Sequence, residues 1–143
     1  MSRAEAKAPR VLIVDDEEPV LLMAAEYFQL YGCAVDCARE LEEAQALLSY
    51  KRYELVIADL RLTGFGGVEG LTIIDDIRER CPWTRIILWT AYGTREVEQE
   101  ARRRGVDAFL LKPQPLPRVV QIGFGLLGLE TPAPQVGKSD QPA

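Results

Sequence analysis

Histidine is entirely absent from the sequence. That removes the commonest zinc ligand, the commonest general base and any phosphohistidine formed on this chain itself. Cysteine is scarce: Cys33, Cys37 and Cys81 are odd in number and form no CxxC pair. Neither a disulfide framework nor a dithiol redox motif is indicated, and reduced thiols in a cytosol are expected. No apolar run approaches the roughly 20 residues that a membrane-crossing helix requires. The opening MSRAEAKAPR leads only into Val11, Leu12, Ile13 and Val14 before two aspartates, too short a run for a signal-peptide core. A cytoplasmic protein with no membrane contact is expected. Positive charge is also in deficit: 17 basic against 22 acidic residues leave a net charge of −5. This argues against direct binding of nucleic acid or anionic lipid and favours a metal cation or a basic partner.

What the sequence does contain is enough apolar material for one closed core, 48% of 143 residues. Short, β-rich, nearly continuous apolar runs at 11–14, 34–37, 55–58, 86–89 and 108–111 predict five buried strands. Between and after them, amphipathic stretches at about 18–31, 40–50, 68–80, 94–104 and 116–130 predict five helices, with Pro19 near the first start and Gly32 and Gly105 at stops. Strand alternating with helix implies right-handed crossovers and a parallel sheet covered on both faces. The fold class expected is α/β, a flavodoxin-like (βα)5 doubly wound sheet of order 2-1-3-4-5. One domain should span 10–130, preceded by a flexible segment, 1–9. The tail 131–143, TPAPQVGKSDQPA, has almost nothing large and apolar to offset its ordering entropy and reads as disordered.

Sites in open α/β sheets lie beyond the carboxyl ends of the strands. There the sequence puts Asp15 and Asp16 after strand one, Asp59 after strand three, Thr90 after strand four and Lys112 after strand five, followed by Pro113. With strands at about 4.8 Å spacing, three carboxylates converge and a lysine stem can reach across strand four. Two carboxylates about 4 Å apart repel by roughly 4 kcal/mol at an effective dielectric near 20, so the cluster calls for a cation. Oxygen-only ligands favour magnesium or manganese over zinc. An aspartate can attack phosphorus, and metal, lysine and hydroxyl would neutralise the transferred oxygens. Taken singly, each residue has an ordinary alternative: a helix cap, a turn hydroxyl or a solvated lysine.

The segments VLIVDDEEP, LVIADLRLTGFGG, IILWTAYG and DAFLLKP resemble, in order and spacing, those of the response-regulator receiver family of two-component systems, over residues 10 to about 130. The resemblance implies that Asp15, Asp16 and the Arg61 carbonyl, with Asp59, bind magnesium, and that Asp59 is the phosphoacceptor. It implies that Thr90 and Lys112 grip the phosphoryl oxygens, with the Lys112–Pro113 peptide bond cis. Phe109 matches an aromatic position that turns inward as the threonine moves; a plain core aromatic is the alternative. The donor implied is a histidine kinase or a histidine phosphotransfer protein, and the recipient of the signal a downstream protein target or a second copy of the chain. The domain would be a signalling module with only self-catalysed phosphotransfer and dephosphorylation, not an enzyme in its own right.

Several positions depart from the family pattern. Arg61 and Tyr92, two residues beyond Asp59 and Thr90, are bulkier than the small or acidic residues often found there and should obstruct an attacking water, whereas Ala91 leaves the donor's approach open. The fourth helix offers only Val97 and Ala101 as an apolar stripe and should move easily, with Arg102, Arg103 and Arg104 a solvated helix end. The last helix carries Gly123, Gly125 and Gly128, each costing about 1 kcal/mol if helical, and should be short or distorted. Its apolar residues spread over roughly 220°, which suggests either a surplus side for a partner or a helix tucked deeper. Two other readings stand beside the main one. The first is an unphosphorylated receiver-like interaction module; the second is a haloacid-dehalogenase-type phosphatase, which would need a DxD pair with its nucleophile after strand one.

Overall fold

The computed structural model describes residues 8–59 and 68–132. Five strands, β1 (Arg10–Val14), β2 (Ala34–Ala38), β3 (Leu55–Ala58), β4 (Arg85–Thr90) and β5 (Ala108–Leu111), alternate with five helices. These are α1 (Glu18–Leu30), α2 (Leu41–Tyr50), α3 (Thr72–Arg80), α4 (Arg95–Arg104) and α5 (Leu116–Leu126). All strand pairs are parallel, in the order β2-β1-β3-β4-β5. The order expected from the alternating pattern is the one observed.

Side chains of successive strand residues point to opposite faces, and both faces are covered. Leu12, Val14, Val56, Ala58, Ile86 and Leu88 join one core with Ala44, Ile73, Ile74, Ile77 and Ala101 of α2, α3 and α4. Val11, Ile13, Leu55, Ile57, Ile87 and Trp89 join the other with α1 and α5 through Leu21, Ala24, Phe28, Val119, Val120 and Phe124. This two-sided burial is why the strands read as continuous apolar runs.

Element boundaries shift in places. The third helix opens with a 3-10 turn, Val68–Leu71, before α3 proper, a common way to enter a helix. The last helix stops at Leu126 instead of running to 130; Gly128 takes a left-handed φ of 73° just beyond it. Its apolar surplus is not an outward face. Leu116, Ile122, Leu126 and Leu127 pack, half-buried, against the α1/α5 core, and the exposed positions within the helix are Pro117, Arg118, Gln121 and Gly125. Gly123 permits that depth, because a Cβ there would lie 2.7 Å from Leu55 Cδ2.

The α4 helix is less loosely held than its narrow stripe suggests. Thr94 caps it, its hydroxyl accepting from the Val97 amide at 3.1 Å, and Gly105 closes it at φ 108°. At its carboxyl end the Arg78 guanidinium donates to the Gly105 carbonyl at 2.9 Å, to the Thr84 carbonyl at 2.5 Å and to the Asp107 carboxylate at 2.8 Å. Arg102 pairs with Glu98, Arg103 with Glu100, and Arg104 with both Glu100 and Asp75. The arginine run is thus a helix end neutralised within the protein.

Candidate functional site

The site forms where β1, β3, β4 and β5 end. Asp15 and Asp59 each follow the last residue of a central strand, and their amides continue the ladder, Asp15 N–H to the Ala38 carbonyl and Asp59 N–H to the Val14 carbonyl. Backbone pairing therefore fixes both carboxylates; they are 2% and 3% exposed. Asp16, one residue on, is exposed. One oxygen from each of Asp15, Asp16 and Asp59 lies within 4.8 Å of the others. Such a spacing suits one hard cation bridging the three, and the all-oxygen donor set suits magnesium, manganese or calcium.

Lys112 completes the cluster. Its ammonium donates to Asp15 Oδ2 at 2.6 Å and to Asp59 Oδ2 at 2.9 Å, and lies 3.9 Å from Glu17 Oε1. The Lys112–Pro113 bond is cis, as the resemblance implies. Burial alone would lower the Lys112 pKa, but its bonds to Asp15 and Asp59 outweigh that, and it stands above the ordinary value. Burial pushes the Asp15 carboxyl up, and the bonds from Lys112 and from the Glu17 amide offset this only in part. One ammonium does not fully compensate two buried carboxylates, which is the electrostatic condition for taking up a further cation.

Thr90 is fully buried, and its hydroxyl accepts from the Tyr92 amide at 3.0 Å, holding the turn that leaves β4. The turn role that sequence reading kept as an alternative is thus present, and the hydroxyl proton remains for another acceptor. Ala91 and Tyr92 are exposed at the mouth. Phe109 packs, partly buried, against the α2–α4 core; its ring lies over Gly93, whose missing Cβ would sit 2.5 Å from Phe109 Cζ. Arg61 lies outside the described residues. Sequence reading missed two neighbours. Glu17 closes the loop, its amide donating to Asp15 Oδ1 at 2.9 Å, an Asx turn signalled by the i to i+2 spacing. Trp89 carries the Lys112 ammonium 5.2 Å from its ring centroid.

With that geometry established, comparison with known proteins gives the class. The sequence model of the family described as "Response regulator receiver domain" matches residues 11–122. The chain belongs to that family: it is a receiver domain of the response-regulator type. The alginate biosynthesis transcriptional regulatory protein AlgB of Pseudomonas aeruginosa is 31% identical over 113 residues, 79% of this chain and 24% of the relative. The regulatory protein AtoC of Escherichia coli is 34% identical over 104 residues, 73% of this chain and 22% of the relative. The chain thus spans about a quarter of the length of these relatives. A response regulator from Thermotoga maritima superposes with TM-score 0.76 at 26% identity, covering 85% of this chain and 98% of that one. A response regulator from Burkholderia pseudomallei, crystallised with a phosphorylated aspartic acid, calcium ion and citrate, superposes with TM-score 0.73 at 26% identity, covering 79% of this chain and 65% of that one. No described helix is long and apolar enough to cross a membrane.

Proposed function

We propose that the domain, residues 10–130, receives a phosphoryl group on Asp59 from a phosphohistidine of a histidine kinase or histidine phosphotransfer protein in the cytoplasm. The observation that carries this reading is the convergence of Asp15, Asp16 and Asp59 within 4.8 Å, bridged in part by Lys112. An Asp59 carboxylate oxygen attacks phosphorus, the donor's P–N bond breaks, and the imidazole leaves with a proton. Lys112 then turns from the carboxylates to a phosphoryl oxygen, and the Thr90 hydroxyl donates to another. Asp15, Asp16 and Asp59, with the Arg61 carbonyl, are the groups to hold magnesium, or manganese in its place; the ion's contribution is to neutralise charge on the transferred oxygens.

The switch follows from the new acceptor. A charge-assisted hydrogen bond worth about 1.5 to 3 kcal/mol shifts a two-state balance by roughly ten- to a hundredfold, enough to move Thr90, the turn at Tyr92 and the ring of Phe109. The result is passed to a protein target or a second copy of the chain. Transcriptional regulation, named for AlgB as a whole protein, contrasts with the expectation of no direct nucleic-acid binding. For this domain, a net charge of −5 and an arginine run already paired with Glu98, Glu100 and Asp75 favour a protein partner.

The test is intact-mass spectrometry after acetyl phosphate and magnesium. Wild type should gain one phosphoryl and Asp59→Ala none. Equal labelling of both would remove Asp59 as the acceptor, and labelling of neither would leave the unphosphorylated interaction module as the reading.

A further inference from the structure

Trp89 and Lys112 are on the same side of the sheet. In the β4–β5 register Trp89 pairs with Leu110, so Lys112, two residues further, is its diagonal neighbour on the face that carries α1 and α5. To reach Asp59 on β3 from β5, the Lys112 side chain must cross the end of β4, and on this face what it crosses is the indole. The ammonium sits 5.2 Å from the ring centroid while donating to both Asp15 and Asp59. Trp89 itself is only 6% exposed and is packed in the α1/α5 core, so its plane is set by the core and not by the lysine. Its indole nitrogen is buried and has no acceptor among the described residues. A hydrogen bond therefore does not account for an indole here, whereas a broad, electron-rich face does, since tryptophan attracts a cation more strongly than any other aromatic side chain.

We propose that Trp89 is a positioning residue for the phosphotransfer site: its ring is the rail along which the Lys112 ammonium is held and moves between the carboxylates and the incoming phosphoryl group. The inference rests on reading Lys112 as the cation that grips that group. Without the ring, the ammonium loses one wall of its track and samples positions away from the site. Labelling of Asp59 should slow by about tenfold, the equivalent of an attraction of the size usual for a desolvated cation over an aromatic face.

Two replacements of similar volume separate positioning from packing. Trp89→Phe and Trp89→Met both shrink the core, but only phenylalanine keeps a π face. Labelling by acetyl phosphate with magnesium should be about tenfold slower than wild type in Trp89→Met and within about threefold in Trp89→Phe, at comparable Tm. Equal rates in the two variants would overturn the inference. A second readout needs no phosphoryl donor: the Lys112 Cε-proton resonances should be shifted upfield by the ring current in wild type and Trp89→Phe, and should return to the ordinary lysine position in Trp89→Met. Resonances that stay at that position in all three proteins would overturn it as well. If wild type takes no label on Asp59, the phosphoacceptor reading fails, and the resonances alone decide whether Trp89 orients Lys112.

Discussion

A methyl group added at Gly93 would lie 2.5 and 2.6 Å from two atoms of the Phe109 ring and 2.8 Å from Leu111 Cδ2. Gly93 is not among the glycines with positive φ, so alanine is compatible with the backbone there and would gain about 0.4 to 1 kcal/mol by restricting the unfolded chain. Overpacking at these distances costs about 1 to 3 kcal/mol and outweighs that gain. The ring must leave, because it is the free end of a side chain and the turn between Tyr92 and Thr94 is held by two hydroxyl contacts. Gly93→Ala should therefore lose about 1 kcal/mol net, a fall in Tm of about 3 to 5 °C. Phe109→Leu removes the ring and leaves the contact with Leu111 Cδ2 as the remaining conflict, so the double variant should be more stable than the sum of the single changes by about 1 kcal/mol. Urea unfolding of the four proteins, with a constant slope across the set, measures the cycle. Additivity within about 0.3 kcal/mol would mean that the ring does not rest over Gly93, and the inward placement of Phe109 would have to be given up.

Gly123→Ala should destabilise by about 1 to 3 kcal/mol, since its Cβ would press on Leu55, while Gly125→Ala, with open space around it, should gain up to about 1 kcal/mol of helix propensity; thermal melts of the pair decide it. The Tyr53 hydroxyl donates to Asp36 at 2.6 Å, and this bond first, with Lys51 second, holds the Asp36 carboxyl below its ordinary value against the effect of burial. A depressed carboxyl stabilises the fold above its unfolded pKa and loses that contribution as pH falls through the folded value. Tyr53→Phe should therefore cost about 1 kcal/mol at pH 7, discounted for the part-exposed carboxylate, and the gap to wild type should close below about pH 4; a gap independent of pH would assign it to packing. For the phosphorylated domain, obstruction by Arg61 and Tyr92 of about 1 to 3 kcal/mol, a slowing of about 5- to 150-fold, predicts a phosphoryl lifetime of tens of seconds to minutes where the unobstructed case is seconds. Tyr92→Ala should shorten it about tenfold, and loss from wild type within seconds in magnesium would contradict the obstruction.

Periodicity carried the topology because a sheet buried on both faces writes its strands as unbroken apolar runs, and Val11–Val14 or Leu55–Ala58 admit no other reading once helices lie between them. The acidic cluster was legible for a related reason. Asp15 and Asp59 interrupt those runs where the strands leave the core, so position along the chain reports position at the rim. What the sequence concealed lies across the sheet. Trp89 reads as one more apolar residue until the β4–β5 register sets it beside Lys112. The depth of α5 turns on the contact of Gly123 with Leu55, two residues separated by most of the domain. Arg78 collects carbonyls from two loops and the Asp107 carboxylate, a convergence that no local pattern encodes.

Because Arg78 and Arg104 fasten the tail of α4 to Gly105, Asp107 and Asp75, the helix is hinged at the end far from the acidic pocket. Ten residues make a lever of about 15 Å, so a tilt of about 10° about that fixed end carries the head, with Thr94, through about 2.5 Å while the tail hardly moves. In the proposed switch, a small rearrangement at Thr90 would thereby be enlarged into a displacement that a docked protein could sense.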